Sequence, residues 1–259
     1  MTGTLAVPGR ARVRTPIAPM YADPNVTSAQ ISQRLAGHDV ELLEAREDWY
    51  FVRGSDGYEG WVHRGFFAPA PPPTARGSAQ TVRISLGCVA GNPSGTRRAL
   101  PLGARLSPEE TLKSGDIVEE TELAARFPRT AVAITRSAQE FFQGTPYLWG
   151  GITPWGADCS GFCQSIFGLH GVSLPRDAWQ QLEVGRDAGP LDELETADLA
   201  FFSDRDDRQA THVGIALGEE RMVHLSLVRG GYSVERLGDP RDAYVAKLRE
   251  RFLKARRVL

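Results

Sequence analysis

Three residues of this 259-residue chain have the types that covalent acyl transfer needs: Cys159, His212 and His224. A cysteine nucleophile requires a base within hydrogen-bond reach, and the base requires a third group to hold its ring. After Cys159 the apolar residues Phe162, Cys163, Ile166 and Phe167 recur at helical spacing, so the cysteine opens a helix with one buried face. Asp158 stands where an N-cap belongs, and Gly168 and Gly171 stand where the helix should stop. A sulfur in the first turn lies at the positive end of the helix dipole, which favours the reactive thiolate. Cys163, one turn deeper on the same face, reads as a small buried hydrophobe, and so does Cys88. His212 opens the run His212-Val213-Gly214-Ile215, and His224 is the centre of Met222-Val223-His224-Leu225-Ser226. A Gly218-Glu219-Glu220-Arg221 turn joins the two runs into a hairpin and brings the histidines onto neighbouring strands.

The elements that must position this set are legible around it. Residues 130–143 read as a helix with Ile134, Ala138, Phe141 and Phe142 on one face, stopped by Gly144 and Pro146. An aromatic, glycine-rich loop from Tyr147 leads into the Cys159 helix. Residues 174–181 read as an extended entry into a short helix. Strands are expected at 198–202, 212–217, 222–227 and 232–237, and their short connections imply an antiparallel sheet. The charged tail from Asp239 reads as helical. Ahead of this α+β region, residues up to about Pro69 read as a small β domain, with strands at 39–44, 49–53 and 58–62 and a turn at Gly54-Ser55-Asp56-Gly57. Ala68-Pro69-Ala70-Pro71-Pro72-Pro73 reads as a linker. Between 80 and 127 the alternation is weaker, with strands expected around Val82, Ile84, Leu86 and Val89 and again at 103–106.

Composition narrows the function classes. Hydrophobic residues make up 41% of the chain, an ordinary globular fraction. Lysine plus arginine (30) nearly balances aspartate plus glutamate (32), which points away from nucleic acid as the main partner. No apolar run has the length of a membrane span, and the N-terminus lacks the apolar stretch of a secretory signal, so a cytoplasmic location is expected. Three cysteines argue against a disulfide framework. His38, His63 and His170 show no metal-ligand spacing, and no metal or cofactor is expected.

Together, Tyr147-Leu148-Trp149-Gly150-Gly151, Asp158-Cys159-Ser160-Gly161, Leu174-Pro175-Arg176-Asp177, His212-Val213-Gly214-Ile215 and the later His224 resemble the NlpC-type cysteine peptidases of bacterial peptidoglycan. The Gly57-Tyr58-Glu59-Gly60-Trp61-Val62 phrase resembles the SH3-like domains of bacterial cell-wall proteins. The resemblance implies an α+β fold, with a papain-like catalytic domain preceded by two small all-β SH3-like barrels. The expected boundaries are 1–70 for the first barrel, 71–79 for the proline-rich linker, 80–128 for the second barrel and 129–259 for the peptidase. It implies Cys159 as nucleophile, His212 as general base and His224 as the group that orients it. It further implies Tyr147 near the oxyanion, and Asp158, Ser160 and Asp177 at substrate-contacting positions, with Ala178 departing from the expected serine. In the subgroup with SH3-like domains, Tyr58 and an acid such as Asp23 help to bind the substrate's free amine. The implied substrate is a murein tripeptide, or a similar cell-wall peptide with a free N-terminal L-alanine, cut at the γ-D-glutamyl–diamino acid bond during wall recycling. Two other readings fit some of the same residues: an amidase or acyltransferase with the same triad, and a wall-peptide-binding protein with an inert catalytic domain.

Overall fold

The computed structural model describes residues 5–70, 81–239 and 241–259. The chain divides into two compact units, Met1–Leu123 and Ala124–Leu259.

The first unit contains a seven-stranded antiparallel sheet and a three-stranded one. The larger sheet is formed by β1 (Gly9–Val13), β2 (Ile17–Tyr21), β3 (Gln30–Leu35), β4 (Asp39–Arg46), β5 (Trp49–Arg53), β6 (Glu59–His63) and β7 (Phe67–Pro69), in the order β3-β2-β6-β5-β4-β1-β7. Alternation puts Ala11, Val13, Ala18, Met20, Val40, Leu42, Val52 and Val62 into one core, with Tyr50 and Phe67 stacked beside them. Trp49 and Trp61 are also buried and pack against neighbouring rings. Ala68 and Pro69, expected in the linker, instead belong to β7, which pairs with β1 at the sheet's edge. Pro69 is tolerated there because an edge strand has one row of unpaired positions. The expected linker residues 71–79 lie outside the described residues.

The smaller sheet has β8 (Arg83–Gly91) between β9 (Arg97–Leu100) and β10 (Thr111–Glu119). The expected strand at 103–106 is not formed. Gly103 takes a positive φ (85°), and Arg105 makes only an isolated bridge to Ile84. This turn docks on the larger sheet instead, where His38 Nε2 lies 3.0 Å from Gly103 O and Arg105 N donates to Ala36 O.

The short helix α1 (Leu123–Arg126) starts on the last residue of the first unit, and α2 (Ala131–Phe142) in the second unit is capped by Thr130 and buries Ile134, Ala138 and Phe142. A two-stranded ribbon, β11 (Ile152–Thr153) and β12 (Gly156–Ala157), leads into α3 (Cys159–Leu169), and α4 (Ala178–Gln181) follows. The main sheet is antiparallel throughout. It contains β13 (Arg186–Asp187), β14 (Leu199–Phe202), β15 (His212–Gly218), β16 (Arg221–Ser226), β17 (Gly231–Arg236) and β18 (Phe252–Arg257), in the order β13-β18-β14-β15-β16-β17. Helix α5 (Ala243–Glu250) lies between β17 and β18 in the chain. The tail expected to be helical throughout therefore ends in a strand that pairs with β14 and β13. Its Arg257 reaches buried Asp198 in a two-point contact at 2.7 Å. Among the described residues no helix is long and apolar enough to cross a membrane.

Candidate active site

Helix α3 carries Cys159 at its first position. Phe162, Cys163, Ile166 and Phe167 are fully buried and hold α3 against β15, β16 and α2. Burying a phenylalanine or isoleucine side chain in this way contributes about 1.5–3 kcal/mol. Gly161 is required by close packing: a Cβ there would lie 2.1 Å from Gly151 O. Ser165 Oγ donates to Ile152 O at 2.6 Å, so the glycine-rich loop and the helix are tied together.

Asp158 caps α3 by accepting from Gly161 N at 2.7 Å. Its carboxylate also receives Gly150 N (2.8 Å), Arg176 Nη1 (3.0 Å), Arg176 Nη2 (2.7 Å) and Ser160 Oγ (3.3 Å). Arg176 Nη1 donates to Ser160 Oγ as well, at 3.0 Å. The expected substrate positions Asp158 and Ser160 thus form a buried knot with Arg176, which fixes the loop and the helix start. Asp177 is the N-cap of α4, with its N–H donating to Gln180 Oε1, and Ala178 is buried behind it.

Cys159 is 5% exposed, and the backbone N–H groups of Val213 and Ser160 act on its sulfur. Val213 directly follows His212, so the cysteine sits against the start of β15. Burial, followed by the Asp158 charge, pushes the Cys159 thiol up to about 12. Burial and the neighbouring His224 hold His212 well below its ordinary value. The resting pair is therefore a neutral thiol and a neutral imidazole. Desolvation outweighs the helix-start effect expected from the sequence. Tyr147 is partly buried, and burial above all, with the negative charge of Asp158 adding to it, raises its pKa, so its hydroxyl stays a donor.

The two histidines meet across β15 and β16. These strands pair Ile215 with Val223, and continuing that register puts Gly214 opposite His224 and His212 one diagonal step away. His212 Nε2 lies 2.8 Å from His224 Nδ1, with ring centroids 4.9 Å apart. Phe202, paired with His212 on β14, packs the other side at 5.9 Å. The connecting turn is tight: Glu219 and Glu220 both take positive φ, near 50°. That is the twist of a two-residue hairpin loop, and it is uncommon for glutamate.

Two of the surrounding residues carry roles that sequence reasoning missed. Arg176 stands out in the sequence only as part of a motif, with no signal that it grips Asp158. Glu235 on β17 carries the hydrogen-bond line onward, with its Oε1 3.3 Å from His224 Nε2. Its only sequence signal is a charge placed two residues beyond the one opposite His224.

The expected first-unit residues lie apart from this set in the sequence. Tyr58 ends the β5–β6 turn, where its N–H donates to Asp56 Oδ1 (3.1 Å) and its carbonyl accepts from Gly54 N and Arg34 Nη2. Arg34 also grips Asp56 at 2.9 Å through both terminal nitrogens. Asp23 lies in the exposed turn after β2, with Ser28 Oγ donating to its carboxylate. His170 is a core residue bridging Pro128 O and Ser137 Oγ. Among the described residues no group of three or more His, Cys, Asp or Glu could hold a metal ion.

Comparisons with known proteins bear on this arrangement. Residues 144–254 match the NlpC/P60 family, and residues 20–65 match the bacterial dipeptidyl-peptidase SH3 domain. A gamma-D-glutamyl-L-lysine dipeptidyl-peptidase of Bacillus subtilis is 40% identical over 124 residues, covering 43% of this chain and 42% of that protein. A probable endopeptidase of Haemophilus influenzae is 35% identical over 114 residues, covering 44% of this chain and 70% of that protein. In fold, a crystal structure of an NlpC/P60 family protein from Bacillus cereus matches 97% of this chain and all of that one, with a TM-score of 0.80 and 19% identity.

Proposed function

The chain belongs to the NlpC/P60 family, and from that premise we propose that it is a cysteine peptidase that cleaves the γ-D-glutamyl–diamino acid bond of free cell-wall peptides. The observation that carries the reading is Cys159 at the first position of α3, against the start of β15, together with His212 Nε2 lying 2.8 Å from His224 Nδ1. An inert binding module has no need to hold two histidines in hydrogen-bond contact and a buried cysteine against the start of one strand. The name of the Bacillus subtilis relative supports the bond.

In this reading His212 takes the Cys159 proton as the sulfur attacks the γ-carbonyl carbon, so charge develops only as the new bond forms. The oxyanion accepts from the Cys159 backbone N–H and the Tyr147 hydroxyl. Collapse breaks the C–N bond, and the leaving amine takes the proton from His212. Water, deprotonated by the same ring, hydrolyses the thioester. The resemblance adds Tyr58 and Asp23 as contacts to the free amine, Asp177 and Ser160 as further substrate contacts, and wall-peptide recycling as the setting.

Mass spectrometry of products from L-Ala-γ-D-Glu-diaminopimelate tests this. The free peptide is expected to yield L-Ala-γ-D-Glu, and Cys159→Ala is expected to yield none, while Cys163→Ala and Cys88→Ala retain turnover. The N-acetylated peptide is expected to react at least about tenfold more slowly, equivalent to about 1.4 kcal/mol. Turnover in Cys159→Ala overturns the nucleophile. Equal cleavage of both peptides overturns amine recognition, and with it the dipeptidyl specificity.

A further inference from the structure

We infer that Glu235 is a positioning residue that sets the tautomer of His212 through His224, so that the base presents an unprotonated Nδ1. This deepens the proposed peptidase reading and rests on it.

The geometry is a diagonal across three strands. His224 stands opposite Ser233 on β17, yet it meets Glu235, two residues farther along. On the other side it meets His212, two residues from Gly214. Successive residues of a strand alternate faces, so Gly214, His212, His224, Ser233 and Glu235 share one face of the sheet.

Glu235 is 4% exposed. Arg229 Nε (2.9 Å) and Ser233 Oγ (2.6 Å) donate to its Oε1, and Arg229 Nη2 (2.8 Å) donates to its Oε2. These donors hold the side chain as a carboxylate in spite of its burial. An ionised carboxylate can only accept. The 3.3 Å contact therefore requires the hydrogen of His224 to sit on Nε2. In the neutral ring Nδ1 is then the acceptor, so the 2.8 Å contact requires His212 Nε2 to donate. The lone pair left on His212 is at Nδ1, and it takes the thiol proton. Among the described residues Glu235 is the one acceptor at hydrogen-bond distance from His224 Nε2, and without it a reversed ring turns the base into a donor.

Ring-nitrogen NMR of the full chain with 15N-labelled histidine tests this without relying on turnover. Signals are assigned through His212→Gln and His224→Gln. In the parent protein both rings are expected as Nε2–H tautomers. A His212 protonated at Nδ1 overturns the inference. Glu235→Ala is expected to lower kcat at least tenfold with KM within twofold, and to give a mixture of tautomers. Glu235→Gln keeps an acceptor and is expected to retain kcat within about threefold. Unchanged kcat and tautomers in Glu235→Ala overturn the inference, as does a Glu235→Gln loss equal to that of Glu235→Ala with tautomers unchanged. If Glu235→Ala fails to fold, the parent spectrum and Glu235→Gln still decide. Parent tautomers as expected, in a protein that does not cut the wall peptide, would leave the positioning chain standing and remove the substrate reading alone.

Discussion

Two buried carboxylates of the second unit are each gripped at two points by an arginine: Asp158 by Arg176, and Glu235 by Arg229. Around Asp158 every donor belongs to the framework: two backbone N–H groups, the Ser160 hydroxyl and a guanidinium whose side chain is 1% exposed. Around Glu235 one donor is a histidine, and the arginine is 32% exposed and shared with Asp242. The difference is in where the charge acts. Asp158 holds the loop to the helix and, as a by-product, opposes ionisation of the adjacent thiol. Glu235 leaves Arg229 partly in water and directs its remaining capacity towards the imidazole line.

The largest effect that could break this contrast is on stability. Arg176→Leu leaves a charged Asp158 buried without its cation, and removing one partner of a buried pair costs about 3–5 kcal/mol. Arg229→Leu removes a cation already partly solvated, and Glu235 keeps Ser233 and His224, so the expected loss is about 1–2 kcal/mol. Urea unfolding of the two variants measures both. Equal losses would mean that the two pairs are equally structural.

A smaller effect concerns the thiol. The Asp158 charge disfavours the Cys159 thiolate, so Asp158→Asn should move the pH midpoint of iodoacetamide labelling downward, while the amide can still cap α3. For every pH unit that the midpoint falls, the thiolate fraction below it, and with it the labelling rate, rises about tenfold. Glu235→Gln should leave this midpoint in place. An unmoved midpoint in Asp158→Asn would show that Arg176 already cancels the Asp158 charge at the sulfur.

The contrast also explains what the sequence could and could not reveal. Helix α3 was legible because its apolar spacing and its Asp158 cap agree, and β14 to β17 were legible because strong apolar runs are separated by polar or glycine-containing connections. β10 was not, since Thr111 to Asp116 are exposed and supply no alternation to read. β18 hid within a charged tail whose arginines are absorbed by Asp198, Glu195 and a backbone carbonyl. Glu235 was hidden by an inverted pattern. On β17 the apolar Val234 is 40% exposed, while polar Ser233 and Glu235 face inward. A reader of periodicity places Val234 in the core and Glu235 in solvent. Only pairing with β16 shows that the inward face has a histidine to satisfy. The low reactivity expected of the resting thiol was equally invisible, because burial of Cys159 depends on chain segments far from it in sequence.

The smallest effect tests the premise on which the contrast rests, that Glu235 is charged in the folded protein. Burial works to raise its pKa, but hydrogen bonds from His224, Arg229 and Ser233 outweigh it and hold the carboxyl well below the ordinary range. A carboxyl depressed on folding adds stability that is fully present above the unfolded value, about 4.3 for glutamate. That stability is lost as pH falls through the folded value. The affected window therefore opens near pH 4.3 and extends downward. Within it Glu235 contributes a slope of at most about 1.4 kcal/mol per pH unit. Glu235→Gln removes only this contribution, so the gap in unfolding free energy between parent and variant should be constant above about pH 5 and should shrink below it. The paired acids on the surface are common to both proteins and cancel in the difference. A gap that instead moves in the parent's favour as pH falls towards about 4.3 would mean that Glu235 is protonated when folded. Its O–H would then be free to donate to His224 Nε2, His224 Nδ1 would carry the hydrogen, and His212 would be left with its lone pair turned away from the thiol.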